Sequence, residues 1–234
     1  MKESIKWYLE IWWQVVARPI YFYTLLQEES WKEKSLSFLL ITSWIAAFFL
    51  SLVIFITQYI PIGSTLIEGI AGIKFVLILP VMITLAFIFF MITLLILGGV
   101  MVVFFGAASY MVGVALHYSY LAIGGKGTLN RMLQASFYSS AIFLTVIFIA
   151  IFALLTKAGV LDPALFKVGF NLVYGFTALY IYGLWAVAGK KNYNIPRWKA
   201  FTGALVPVIL LLIFGLAFDK IALSKLSIWI TPLK

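Results

Sequence analysis

The feature that most constrains this chain is a long stretch without any charged residue. It runs from Phe75 to Gly125, 51 residues, and as a single helix it would be roughly 75 Å long at 1.5 Å per residue. About 20 apolar residues are enough to cross the hydrocarbon core of a bilayer. Because so long an apolar surface is unfavourable in water, the sequence predicts an integral membrane protein.

The overall composition agrees with that prediction. Of the 234 residues, 64% are hydrophobic and only 11% are charged, whereas about a quarter of the residues in a soluble domain are charged. The apolar runs are continuous rather than alternating, which favours helices over a β-barrel. The predicted fold class is an all-α integral membrane protein, a five-span helical bundle with an N-terminal interfacial amphipathic helix.

Five apolar segments are candidates for the spans: 36–59, 75–121, 133–155, 168–188 and 200–218. The second segment leaves an alternative open. It is either two crossings with a turn at Gly98 and Gly99, or one crossing preceded by an interfacial or partly inserted helix that starts near Pro80. With five crossings, 11 of the 17 Lys and Arg residues lie on the side of the N-terminus. That bias weakly favours five crossings with a cytoplasmic N-terminus.

Residues 1–34 are interpreted as an interfacial amphipathic segment, ahead of a transmembrane helical domain over 35–234. Charged and polar residues recur there at steps of three and four, so they share one helical face, and aromatic residues cover much of the rest. Such a helix is expected to lie in the membrane interface. The residues predicted to contact lipid headgroups, here and in the basic segment 189–200, are Trp7, Trp12, Trp13, Lys190, Lys191, Arg197 and Lys199.

The most polar stretch between two apolar ones begins with Gly124, Gly125, Lys126, Gly127 and Thr128. It is superficially like a phosphate-binding loop, but that motif requires Gly, any four residues, then Gly-Lys-Ser/Thr after a strand. Here a glycine follows the lysine, and Tyr120 stands where the first glycine would be. The stretch is therefore predicted to be a hinge, with glycines that allow a reversal and Thr128 as the cap of the next helix.

The span after that hinge begins with many polar residues. They form two polar strips on this span, and Asn171 of the following span is added to them. The full set is Asn130, Gln134, Ser136, Tyr138, Ser139, Ser140 and Asn171. Two interpretations stay open, namely hydrogen bonds that pack the helices together, or a substrate path through the bundle. Earlier in the chain, Gly99, Gly106 and Gly113 repeat every seven residues, which favours close helix packing over a ligand groove.

The sequence matches no catalytic template. Cysteine is absent, His117 is the single histidine, and all eight acidic residues lie at the ends of apolar segments or in connections. A serine hydrolase needs a base oriented by a carboxylate, and no acidic residue is near His117 in sequence. We therefore expect no enzymatic activity, no cofactor and no metal. We also expect no nucleic acid, because the basic residues are spread over the ends of the spans, where they suit lipid headgroups.

Three stretches resemble the Yip domain family, the Ypt/Rab-interacting polytopic membrane proteins. They are "ARPIYFYTLL" (17–26), "GGKGTLNRMLQASFYSSA" (124–141) and "GKKNYNIPRWKA" (189–200), the last followed by a span that contains Pro207. The resemblance implies a five-span bundle with a cytoplasmic N-terminus and, in eukaryotic members, binding to Rab-type GTPases. This chain lacks their long hydrophilic N-terminal region and their Asp-Leu-Tyr-Gly-Pro signature. It therefore resembles a prokaryotic-type member of the family, and we expect it in the cytoplasmic (inner) membrane.

Two functional hypotheses follow. The first is a non-enzymatic membrane protein that organises the membrane or partner proteins, contacts anionic lipid on the cytoplasmic side, and has either a protein partner or a second copy of itself. The alternative is a transport protein or scramblase for lipid or a small apolar solute, which would use the polar strips.

Overall fold

The computed structural model describes residues 2–68, 70, 72–223, 225 and 230–231. Over these residues the chain is helical, without a β-strand. The α-helices are α1 (Lys2–Ala17), α2 (Pro19–Leu25), α3 (Lys34–Ile54), α4 (Ile60–Ile67), α5 (Ile73–Ala122), α6 (Leu129–Tyr138), α7 (Val146–Lys157), α8 (Pro163–Tyr193) and α9 (Arg197–Phe218). The last residues of the predicted 35–234 domain lie outside the described residues.

Short irregular helical pieces join some of these helices into longer rods. A π-helical turn connects α3 to α4, a 3-10 segment connects α6 to α7, and a second π-helical turn follows α9; they are Phe55–Tyr59, Ser139–Thr145 and Asp219–Leu223. Five rods are long and apolar enough to cross a membrane: Lys34–Thr65, Ile73–Ala122, Leu129–Lys157, Pro163–Tyr193 and Arg197–Leu223. The prediction of five long apolar helices is therefore confirmed.

Helix α5 contains neither the turn of the first alternative for the longest apolar segment nor the separate leading helix of the second. It has 50 residues, which corresponds to roughly 75 Å. The helix continues through Gly98 and Gly99, where two crossings would have needed a turn, and Pro80 lies inside it near its start. The segment is therefore one helix, much longer than the 30 Å core of a bilayer requires.

The rod formed by α3 and α4 runs antiparallel to α5. Trp44 of α3 packs directly on Gly98 of α5. Further along the rod, the Tyr59 hydroxyl lies 2.9 Å from the Thr93 hydroxyl. A later residue of the first rod thus pairs with an earlier residue of α5, so the two form a long helical hairpin.

Helix α1 lies across the outside of the bundle. The Tyr8 hydroxyl is hydrogen-bonded to the Thr42 hydroxyl of α3 at 3.0 Å. One turn later, the Trp12 indole N–H donates to the Ala141 carbonyl at 3.1 Å. The end of α1 meets Tyr180 of α8, whose hydroxyl donates to the backbone of α1. Successive turns of α1 therefore contact three different long helices, which places α1 across them rather than along one.

Helix α2 continues the attachment of the N-terminal segment. Phe22 and Tyr23 are buried; Phe22 contacts the Tyr138 ring edge-on at 5.1 Å, and the Tyr23 hydroxyl donates to the Ala135 carbonyl at 3.4 Å. Burial raises the pKa of both Tyr8 and Tyr23 above the ordinary value for tyrosine. Both are therefore neutral phenols. Tyr8, Phe22 and Tyr23 belong to the same apolar core as residues of the long helices, so the N-terminal segment is packed as part of that core.

Three connections meet at one end of the bundle, which we call the basic end: residues 26–33, 123–128 and 194–196. The Asn130 side chain donates to the Glu29 carbonyl at 2.7 Å, and the Lys199 ammonium donates to the Ile123 carbonyl at 2.9 Å. The loop 158–162 lies at the opposite end. The basic end is thus tied together by contacts between connections that are far apart in sequence.

Candidate functional site

The loop Gly124–Thr128 is docked on the C-terminal end of α8. The backbone N–H of Lys126 donates to the Tyr193 carbonyl at 3.3 Å. The Asn192 side chain donates to the Thr128 carbonyl at 3.0 Å and accepts the Thr128 backbone N–H at 3.4 Å. The predicted hinge is therefore also a junction that fixes the end of α8.

The glycines of this loop allow the close approach of Tyr193. A Cβ on Gly125 would lie 2.8 Å from the Tyr193 Cβ, and one on Gly127 would lie 2.7 Å from its ring. Gly124 has a φ of 86°, a backbone conformation that favours glycine. Two of the glycines thus serve contact with Tyr193, and one serves the chain reversal.

The start of α6 is held by its own cap and by the connection 26–33. The Thr128 hydroxyl accepts the Arg131 backbone N–H at 3.3 Å, so the predicted cap is confirmed. Asn130, from the predicted polar strip, accepts the Trp31 backbone N–H at 3.2 Å and donates to the Glu29 carbonyl. This residue therefore anchors a connection rather than facing into the bundle.

A tyrosine that the sequence analysis did not single out joins α5, α8 and α9. The Tyr120 hydroxyl lies 2.9 Å from the Trp185 carbonyl and 3.1 Å from the Ala200 carbonyl. A Cβ on Gly189 or Gly203 would lie 2.1 or 2.5 Å from the Tyr120 ring. In the sequence, Gly189 and Gly203 were the available signal for a close contact at this point. Glycines alone do not show which side chain of another helix, here Tyr120, lies against them.

His117 is hydrogen-bonded to a neighbour in this region. Its Nδ1 lies 2.5 Å from the Tyr193 hydroxyl. Within the described ranges, no carboxylate pairs with His117, and no three His, Asp or Glu side chains form a group that could hold a metal ion. The hydrogen bond gives His117 a packing role between α5 and α8, and the absence of enzymatic activity stays a prediction.

A groove at the basic end brings together three of the predicted headgroup residues, Lys190, Lys191 and Arg197. It lies between α2, α8 and α9, with a volume of about 420 Å³, and its other lining residues are apolar: Ile20, Ala186, Val187, Ala200 and Phe201. None of the three basic side chains pairs with a carboxylate of the described residues. We call this feature the basic groove. Lys199 lies outside it and is bonded to the Ile123 carbonyl.

The three predicted headgroup tryptophans have different environments. Trp13 is 58% exposed, whereas Trp12 is half-buried and bonded to the Ala141 carbonyl. Trp7 is half-buried and lines a second cleft, described below. Trp13 is therefore the one whose ring is most available to a surrounding medium.

Two serines of the polar strips hold helices together. The Ser136 hydroxyl donates to the Ser109 carbonyl of α5 at 2.6 Å. The Trp185 indole N–H of α8 donates to the Ser139 hydroxyl at 3.0 Å. At these positions the contacts favour the packing interpretation over a substrate path.

Of the remaining members of the strips, Gln134 and Tyr138 line one cleft, whereas Asn171 lies elsewhere. Gln134 Oε1 and Ser140 Oγ are buried without a hydrogen-bond partner among the described residues, and Tyr138 packs among aromatic rings. Asn171 is exposed near the start of α8, fourteen residues before Trp185, or roughly 21 Å along the helix. The structure therefore places Asn171 away from the two strips.

The three glycines spaced by seven residues also differ. A Cβ on Gly113 would lie 2.8 Å from the Leu133 side chain, so Gly113 is in a close helix contact. Gly99 and Gly106 have no atom within 4 Å of a Cβ position. The close contact further up α5 is made by Gly98 with Trp44, one residue away from the predicted position.

Comparison with family models, with characterised proteins and with solved structures finds no match. The resemblance to the Yip domain family therefore stays a prediction.

Proposed function

We propose that this chain is a non-enzymatic polytopic membrane protein that organises the lipid around it and binds anionic headgroups at its basic end. The observation that carries the proposal is the basic groove, where Lys190, Lys191 and Arg197 stand beside apolar walls. Cationic side chains attract anionic headgroups, and the apolar walls suit the adjoining part of a lipid. A soluble anion would interact only with the cationic side chains and not with the apolar walls.

The position of α1 supports an interfacial role for the N-terminal segment. Its contacts Thr42, Ala141 and Tyr180 lie roughly 12 to 20 Å from the basic ends of their helices at 1.5 Å per residue. Helix α8 has 31 residues, about 46 Å, which exceeds the 30 Å core by about 16 Å. We infer that this excess projects at the basic end, because the last turn of α8 carries Lys190 and Lys191, and α1 then lies at the boundary of the hydrocarbon core.

The distribution of basic residues supports a cytoplasmic N-terminus. With five crossings, 11 of 17 Lys and Arg residues fall on the side of the basic end, and such an excess is typical of the cytoplasmic side. We propose the cytoplasmic membrane of a prokaryote as its location, because the charge distribution supports a cytoplasmic N-terminus and the resemblance to prokaryotic-type Yip proteins supports the source. A protein partner or a second copy of the chain stays a prediction, as does membership of the Yip family.

The test compares two triple variants of the full-length protein with equal loss of charge. One is Lys190→Gln, Lys191→Gln and Arg197→Gln; the control, at or near the opposite end, is Lys74→Gln, Lys157→Gln and Lys220→Gln. Native mass spectrometry counts the phosphatidylglycerol molecules that each protein retains from mixed micelles. We expect the groove variant to retain several-fold less lipid, with the difference shrinking at high salt. Equal retention by both variants would disprove binding at the groove.

A second candidate function is passage of lipid through the bundle. It is favoured by Gln134 Oε1 and Ser140 Oγ in the third long helix, which are buried and have no hydrogen-bond partner among the described residues. Buried polar atoms without a partner are costly, and a passing headgroup would supply one. Reconstitution with fluorescent lipid followed by dithionite quenching tests it. Quenching in protein-containing vesicles that stays at the level of empty vesicles would eliminate scrambling.

A further inference from the structure

A second cleft, distinct from the basic groove, lies between α1, α2, the start of α3 and the second half of α6. Its volume is about 290 Å³, and polar and aromatic side chains from five segments meet in it: Trp7, Phe22, Glu29, Lys34, Gln134 and Tyr138. We call it the polar cleft. One water occupies about 30 Å³, so the cleft is large enough for a small polar group rather than a single water.

Gln134 contributes the one buried polar side-chain atom of this cleft that has no hydrogen-bond partner among the described residues. Its side chain lines the cleft, it is only 3% exposed, and its Oε1 is buried without a donor among the described residues. Buried amide oxygens in folded proteins nearly always accept a hydrogen bond. Gln134 therefore brings to the wall of the cleft an amide whose buried oxygen has no partner among the described residues, and a rotation of that amide would offer the oxygen to a donor from a ligand.

An ion pair lies in the same cleft. The Lys34 ammonium and a Glu29 carboxylate oxygen are 3.0 Å apart, and the two side chains are 58% and 37% exposed. Exposed pairs of this kind contribute little stability. A ligand that offers its own positive and negative groups can therefore take up both residues at little cost to the fold.

Aromatic rings form the rest of the polar cleft. Phe22 and Tyr138 meet edge-on with ring centres 5.1 Å apart, and Trp7 lines the same space. Aromatic faces attract cationic amines. Together with the Glu29 carboxylate, these rings favour a positively charged group inside the cleft.

We propose that the polar cleft binds the headgroup of a zwitterionic phospholipid that carries a primary ammonium, of the phosphoethanolamine type. On binding, the Gln134 amide turns its oxygen into the cleft, so that the ammonium donates to Oε1 and faces Glu29 while Lys34 meets the phosphate. A primary ammonium is favoured over a quaternary one because the latter has no N–H to donate to the Gln134 oxygen. A headgroup with only negative charge would leave Glu29 opposed by a like charge.

The ligand is a lipid rather than a free zwitterion because apolar side chains of α1 and α2, such as Ile11 and Leu25, extend the same cleft. The proposal rests on the membrane location proposed above but not on anionic lipid at the basic groove. The two sites share no lining residue, so they can fail separately.

The experiment uses full-length protein in micelles with either phosphatidylethanolamine or phosphatidylcholine of identical chains, and counts bound lipid by native mass spectrometry. Gln134→Leu removes the acceptor at similar size; Ser136→Ala, on the same buried helix, is the control for folding. We expect wild type and Ser136→Ala to prefer phosphatidylethanolamine, and Gln134→Leu to lose about tenfold in affinity for it, the value of a hydrogen bond to a charged group.

Glu29→Gln is the second variant, because this partly exposed residue can be changed without disturbing the core. We expect it to weaken binding of both zwitterionic lipids while phosphatidylglycerol retention at the basic groove is unchanged. If only the groove variant retains less lipid than wild type, the proposal for the basic groove holds independently of the polar cleft. If only Gln134→Leu and Glu29→Gln bind less zwitterionic lipid, the proposal for the polar cleft holds independently of the groove.

Free phosphoethanolamine tests whether the cleft binds a lipid headgroup or a soluble zwitterion. Thermal unfolding, followed by tryptophan fluorescence, is expected to shift upward with the lipid at concentrations where the free compound has no effect. Equal shifts at equal concentrations would assign a soluble zwitterion and overturn the lipid. Equal affinity for the two lipids in wild type, or unchanged preference in Gln134→Leu, would overturn the site.

Discussion

The two halves of α5 differ in apolar composition and have opposite environments. Between Ile73 and Leu97, the more hydrophobic half, no side chain is buried, whereas the second half contributes several buried residues: Gly98, Ser109, Gly113, Leu116 and Tyr120. The more hydrophobic half is the less buried one, because in a bilayer an apolar side chain needs no protein neighbour. What distinguishes them is small and polar residues, which let a second helix approach closely.

The largest effect is expected from a side chain added in the packed half. In Gly98→Val the new Cβ would lie 2.3 Å from the Trp44 ring, and overpacking of this kind costs up to about 3 kcal/mol. Gly99→Val is the matched control, since its Cβ meets no atom within 4 Å. Unfolding in mixed detergent and SDS micelles measures both. Similar losses in the two variants would contradict the packing of Trp44 on Gly98.

The next effect comes from removing the same side chain in each half. Leu116 is fully buried and Leu77 is 71% exposed. We expect Leu116→Ala to lower the free energy of unfolding by about 2 kcal/mol, because it leaves a cavity, and Leu77→Ala to change it by less than about 0.5 kcal/mol. The same micelle titration applies. A loss for Leu77→Ala as large as that for Leu116→Ala would show that the first half of α5 is also packed, for example on a second copy.

The smallest effect concerns a single hydroxyl at the packed end. Tyr120→Phe removes the donor that the Trp185 and Ala200 carbonyls share, and we expect a loss of about 1 kcal/mol. Tyr118→Phe, at a position that is 64% exposed, is expected to be neutral. If the two variants unfold alike, the Tyr120 hydroxyl does not help to join α5 to its neighbours.

Much of the fold was predictable because it depends on neighbours in the sequence. The apolar segments predict five long helices, the glycines at 124 to 127 predict a break, and Thr128 predicts a cap, since a cap needs only residues within one turn. The bounds were less accurate. Helices α6 and α8 continue past their apolar parts, because a helix can continue through polar residues where they meet connections or a neighbouring helix.

The candidate sites were predictable only in part. Lys190, Lys191 and Arg197 were expected to contact lipid, but the apolar walls of their groove come partly from α2, far away in sequence. Gln134 was grouped with serines that prove to be hydrogen-bonded between helices. That Gln134 lines a cleft together with Glu29 and Lys34 depends on how the N-terminal segment folds back.

By itself the sequence determined that this protein is helical, very apolar and unevenly charged at its two ends, because helix formation and hydropathy are properties of local segments. The tertiary structure decided which small residues are contacts, with Gly98 and Gly113 packed and Gly99 and Gly106 open. It also decided which polar residues are satisfied by packing and which are available to a ligand. Both depend on which faces of separate helices meet, and in a chain so uniformly apolar that choice leaves little trace in the sequence.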